Sequence, residues 1–95
     1  MTDDTDAQVR YDEEAGGYLL TVEGQRAGVA AVERRGDVMA FTHTEIDPDF
    51  GGRGLGTVLV SRALADVAEE GLAVEPECTF VAGYLERHPE AARRA

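Results

Sequence analysis

Four glycines and one arginine fall within six residues, Gly51-Gly52-Arg53-Gly54-Leu55-Gly56. A strand-like run from Val38 to Ile46 enters this cluster, and a helical pattern leaves it toward Glu70. The head of a helix carries up to four unpaired backbone N–H groups and a partial positive charge. Glycine lets the backbone approach an anion closely and take positive φ. The order strand, glycines, helix therefore predicts a phosphate cradle, with Arg53 adding local positive charge. Two familiar phosphate loops are excluded. A Walker loop needs lysine after its last glycine, where Thr57 follows Gly56, and the dinucleotide fingerprint needs glycine where Arg53 stands. The alternative is that these glycines only turn the chain.

His43 and Glu45 lie two apart on the strand that enters the loop. Alternation puts both on one face, in a row with Met39 and Phe41. At a strand end beside an anion site, that pair could supply a general base. The plainer reading is a hydrogen-bonded histidine and a carboxylate facing water. Cys78 is the only thiol, and a lone cysteine commonly packs as a small hydrophobe. Glu75 and Glu77, if close, would raise its pKa and disfavour a resting thiolate. Should His43 approach it, a nucleophilic role opens. Metal chemistry is not expected, because His43, His88 and Cys78 match no ligand spacing. Ser61 sits inside the helical pattern, so a Ser-His-Asp site is not credible.

The elements that must position these residues follow from periodicity. Residues 1–7 are polar and acidic and read as a disordered lead-in, with a single domain over 8–95. Turn signals at Gly16-Gly17, Gly24 and Gly36 divide Gln8 to Ile46 into an antiparallel meander. Asp47-Pro48 breaks the last strand. Leu55, Val58, Leu59, Ala63 and Val67 then share a helical stripe that Gly71 should stop. Leu72 to Val74 and Thr79 to Val81 are short apolar pieces, and Tyr84 to Glu90 reads as a final short helix ended by His88-Pro89. The sum is an α+β domain with one helix packed on one sheet face.

Composition narrows the partners. Nine arginines and no lysine stand against 19 acidic residues, a net charge of −10. Such a chain repels phosphate backbones, so nucleic-acid and anionic-membrane binding are disfavoured and cationic amines are favoured. One cysteine excludes an internal disulfide and fits a reducing compartment. With an acidic start, Met1-Thr2-Asp3-Asp4, and no apolar run of spanning length, the expectation is a cytoplasmic domain. Nothing in the sequence addresses oligomeric state.

The stretch His43-Thr44-Glu45-Ile46-Asp47-Pro48, followed by Gly52-Arg53-Gly54-Leu55-Gly56, resembles the acetyl-coenzyme A signature of the GNAT acyltransferase superfamily. Pro76-Glu77-Cys78 and Tyr84 with Arg87-His88-Pro89 bring it closer to a subfamily of very short GNAT-like proteins. The resemblance implies a minimal GNAT-like fold: a β-meander, a long helix, a short strand and a short C-terminal helix. It implies acetyl-coenzyme A as cosubstrate, its pyrophosphate held by Gly51, Gly52, Arg53, Gly54, Leu55 and Gly56. The strand edge at Glu45 and Ile46 would pair with the pantetheine arm. His43, Glu45, Cys78 and Tyr84 would be the catalytic candidates, Tyr84 protonating the departing thiolate and Cys78 lying beside the acyl group. The acceptor would be an amine, on a small molecule or a protein. Gly51 departs from the Gln or Arg usual there, leaving backbone donors alone at that corner. The connection Asp12 to Gly17 is also too short for the helices that usually shape the acceptor site. That shortness leaves a second reading: a coenzyme A-binding or interaction module without significant catalysis.

Overall fold

The meander turns where glycine permits it. Gly16, Gly24 and Gly36 all take positive φ, and Glu23 beside Gly24 is the one non-glycine residue to do so among the described residues. A computed structural model describes residues 6–95, so the lead-in expected over 1–7 lies mostly outside the described residues. Ala7, assigned to that lead-in, instead opens the first strand and is buried. The strands are β1 (Ala7–Asp12), β2 (Gly17–Val22), β3 (Gln25–Arg35), β4 (Val38–Ile46) and β5 (Ala73–Pro76). Two helices, α1 (Leu55–Glu69) and α2 (Thr79–Arg87), follow β4 and β5, with short 3-10 turns at Pro48–Phe50 and Pro89–Ala91. The piece Thr79 to Val81 is thus the first turn of α2, which begins earlier than the sequence suggested.

The sheet runs β1-β2-β3-β4-β5. Its first four strands are antiparallel, and β5 lies parallel to β4. A parallel neighbour cannot be reached by a hairpin, so α1 crosses back from the end of β4 to the start of β5. One sheet face carries Tyr18, Leu20, Met39, Phe41 and Val74 against both helices in a single buried cluster. The α1 stripe is broader than expected: Val60 and Leu64 are buried with Leu55, Leu59, Ala63 and Val67, giving the wide apolar face of a globular rather than coiled-coil helix. Gly71, at φ 77°, ends the helix, and the Leu72 amide donates back to the Val67 carbonyl at 3.2 Å. At the β5 edge, the chain's last residues run alongside. The Val74 amide donates to Arg93 and the Ala95 amide to Val74, which covers an edge otherwise open to pairing.

Tyr18 ties sheet to helix. Its hydroxyl donates to Asp66 Oδ2 at 2.6 Å, and its ring lies parallel to that of Phe41 with centroids 6.3 Å apart. Burial, then the bond and charge of Asp66, push the phenol far above its ordinary range. The unfolded phenol ionises near pH ~10, while the folded one stays neutral. The stability from this raised pKa is therefore whole below about pH 10 and lost as pH rises above it. Tyr18→Phe should cost about 1 kcal/mol at neutral pH and flatten the alkaline fall, as urea titrations at pH 7 and above pH 10 would read.

Candidate functional site

The glycine loop stands where β4 ends and α1 begins. Pro48–Phe50 forms one 3-10 turn, closed by the Gly51 amide donating to the Pro48 carbonyl at 3.2 Å. Gly52 and Gly54 take left-handed φ of 76° and 72°, and Gly54 is the residue before α1. No side chain caps the helix head, and no acidic residue occupies its first turn, so its free amides and dipole face outward unopposed. Arg53 is exposed, its guanidinium 5.6 Å from the Phe50 ring centroid. Ile46, Phe50, Leu55, Thr57 and Phe80 complete an open cavity of about 200 Å³ around the glycines. Apolar rings beside bare amides suit a ligand that is anionic at one end and apolar along its length.

Beside the loop the sheet splits. The parallel register of β4 and β5 ends at Phe41 opposite Pro76, because proline has no N–H to continue it and α2 begins at Thr79. One last bond follows, from the Cys78 amide to the Phe41 carbonyl at 2.9 Å. Beyond it β4 runs on to Ile46 without β5. The Asp47 amide donates to Ala27 of β3 at 2.8 Å. By alternation the main chains of His43 and Glu45 then turn toward β3, and those of Thr44 and Ile46 toward the open side. A slot results, walled by the free edge of β4 and the head of α2.

A bulge decides which side chains face that slot. Ala31 pairs with His43 but Val32 pairs with Phe41, so Thr42 has no residue opposite it. The extra residue reverses the alternation of β4. Phe41 is buried under the helices, and Thr44 and Ile46 follow it onto that face. His43 and Glu45 go to the opposite face, where both are exposed. The expected row of Met39, Phe41, His43 and Glu45 is therefore corrected: the first two and the last two lie on opposite faces.

Thr44, not His43, meets the thiol. Cys78 is half-buried, and its Sγ donates to Thr44 Oγ1 at 3.3 Å. Burial pushes this thiol up, but the Thr44 hydroxyl and the amides of Val81, Phe80 and Thr44 outweigh it, leaving the pKa lowered. The expected upward push from Glu77 does not arise, because its carboxylate is bound by Arg35 at 2.6 Å. Removing the hydroxyl should undo part of the lowering. Thr44→Val should move the midpoint of the alkylation rate against pH upward, since the thiolate reacts. An unmoved midpoint would mean that Thr44 does not support the thiolate.

The remaining candidate, Tyr84, is carried by α2. Tyr84 is buried in the core cluster, its ring 4.6 Å from that of His88. Arg93 donates to the Gly71 carbonyl, at the far end of α1 and so roughly 20 Å from the loop. A larger hollow of about 510 Å³ opens between β1, β2 and α1, lined by Tyr11, Tyr18, Asp66 and Glu69. Its lining on α1 lies about two to four helical turns from the loop, and it holds none of the expected site residues.

Against this geometry, the comparisons with known proteins speak to family. The model of the GCN5-related N-acetyl-transferase family matches residues 17–94. The chain belongs to that family. Among solved structures, the ribosomal-protein-S18-alanine N-acetyltransferase from Escherichia coli is similar, with a TM-score of 0.57 and 21% identity. The match covers 75% of this chain and 53% of that one, so the chain spans about half the length of that enzyme. No curated protein matches the sequence. The fold is accordingly the α+β fold of GCN5-related N-acetyltransferases.

Within the GCN5-related frame, three residues at the slot were passed over by the sequence reading: Thr44, Phe50 and Phe80. Thr44 was hidden by the bulge, which no periodicity announces. Phe50 and Phe80 carried a signal, being aromatic beside the loop and beside Cys78 respectively. Among the described residues no group of three or more His, Cys, Asp or Glu is arranged to hold a metal. No helix of the described residues is long and apolar enough to cross a membrane.

Proposed function

We propose that this chain is an acetyl-coenzyme A-dependent N-acetyltransferase that acts on an amine acceptor. The observation that carries the reading is the cavity at the uncapped head of α1, lined by Ile46 and Phe80, together with the Cys78–Thr44 pair where β4 and β5 part. Family membership supports transfer to an amine. The fit to the coenzyme is supported by the left-handed glycines, the absence of acid in the first turn of α1, and Arg53 beside them. That local charge matters because a chain of net charge −10 otherwise repels a polyanion.

When bound, acetyl-coenzyme A supplies an activated thioester carbonyl. The amides of the loop would bind its phosphates. The outward main chain of Thr44 and Ile46 would pair with the amides of its arm, as an added strand does. The lowered thiol of Cys78, supported by Thr44, makes a covalent acetyl route chemically open, and direct attack by the amine is the alternative. For either route, His43 and Glu45 on the opposite face of β4 would accept the amine's proton on the acceptor side, and Tyr84 is the acid proposed for the departing thiolate. The acceptor is a small molecule or a protein in a reducing, cytoplasmic setting. The relative's substrate, an alanine of ribosomal protein S18, makes a peptide N-terminus the first acceptor to try.

The test is mass spectrometry of the protein with acetyl-coenzyme A and a panel of amines and N-terminal peptides. Transfer should fall about 100-fold or more in His43→Ala, the range general bases contribute. An acetyl group on the wild type that is absent in Cys78→Ala would select the covalent route. The second reading, coenzyme binding without catalysis, is favoured by the tight Asp12–Gly17 turn, which leaves no helices to enclose an acceptor. It expects coenzyme affinity with no transfer to any amine.

A further inference from the structure

Phe80 is one of two large hydrophobic side chains exposed among the described residues, with 40% of its surface in water. It is the second residue of α2, and its position joins the two halves of the site. Its ring lines the cavity at the glycine loop, while its main-chain amide supports the Cys78 sulfur. The ring is seated on the first turn of α1. A Cβ added at Gly56 would come within 2.9 Å of the ring's Cζ and 3.3 Å of Cε2.

That seat explains a glycine the cradle does not require. Gly56 lies inside α1 and is not among the glycines with positive φ. Its backbone would accept any residue, and glycine within a helix is unfavourable relative to alanine. The expectation that Gly56 serves only a phosphate leaves this unexplained. The close contact with Phe80 supplies the reason, because a Cβ there would meet the tip of the ring and push it from its seat on the helix head.

We infer that Phe80 is a specificity-determining residue: its ring, held on Gly56, is the apolar wall for the arm between phosphates and thioester. The inference rests on the proposed function and adds to it. The ring lies between the loop that would take the anionic end and the thiol that marks the reactive end, so the ligand region it covers is the extended arm. Burying the exposed part of the ring against that arm favours binding. Ligands that end at the phosphates gain nothing from it.

The experiment compares acetyl-coenzyme A with adenosine 3′,5′-bisphosphate, which keeps the nucleotide, its 3′-phosphate and the inner 5′-phosphate but lacks the second 5′-phosphate and the arm. Calorimetry on the wild type, Phe80→Ala and Phe80→Leu reads both, with thermal melts confirming that each variant folds. Phe80→Ala should weaken acetyl-coenzyme A about tenfold, a loss of ~1.4 kcal/mol, and leave the bisphosphate within twofold. Phe80→Leu should restore most of the affinity. Equal weakening of both ligands, or no weakening of either, overturns the role of Phe80. A folded wild type that binds neither ligand refutes instead the coenzyme reading beneath it.

Discussion

Phe41→Ala should lower the stability of the domain by about 3–5 kcal/mol. Phe41 has no solvent exposure and is the largest fully buried side chain among the described residues. Its ring stacks on Tyr18, and its carbonyl receives the Cys78 amide that holds α2 to β4. One substitution therefore opens a cavity beneath the helices and loosens the slot above it. Domains of this size are stable by roughly 5–15 kcal/mol in total, so the loss is a large share of the whole. The midpoint of urea unfolding reads it directly. Phe41→Leu, which keeps most of the volume, should cost well under half as much. A loss below about 1 kcal/mol for the alanine variant would contradict the core described above.

The second large effect is on binding. Gly54→Val should weaken coenzyme A by about 10- to 100-fold, the equivalent of one charge-assisted hydrogen bond to phosphate. A Cβ at Gly54 would meet nothing within 4 Å, so crowding is not the cause. The cause is its φ of 72°: the left-handed region costs an L-residue roughly 1–2 kcal/mol, and a β-branched one more. The chain relieves that strain by turning the peptide at the head of α1, and the amides of Leu55 and Gly56 turn with it. The helix itself, anchored by Leu55, Leu59 and Leu64, should persist, so the melting temperature should shift by only a few degrees. Unchanged affinity in the folded variant would remove the loop from the site.

How much of this was legible in the sequence depends on which physical signal each feature carries. The order of strands and helices was readable because Gly16, Gly24, Gly36, Pro48 and Gly71 punctuate it at the residues that need their conformations. The glycine loop was readable for the same reason. The face of His43 was not, because alternation assumes an unbroken ladder and the extra residue at Thr42 leaves no mark in composition. The state of Cys78 was misjudged from neighbours in sequence. Glu77 is adjacent along the chain yet spent on Arg35, while Thr44, thirty-four residues away, sets the thiol's environment. Phe80 needed the packing of two helix heads, a relation that exists only once β4 and β5 have separated.

Amide shifts in a nitrogen-15-labelled protein titrated with acetyl-coenzyme A test the central claim most directly. The account predicts the largest shifts at Gly54, Leu55 and Gly56, where the phosphates would sit, with a second group at Thr44, Cys78 and Phe80 around the thioester. Adenosine 3′,5′-bisphosphate should move the first group and leave the second in place. Shifts gathered instead at Tyr11, Tyr18 and Glu69, in the hollow at the far end of α1, would contradict the account. So would a spectrum that acetyl-coenzyme A leaves unchanged at millimolar concentration.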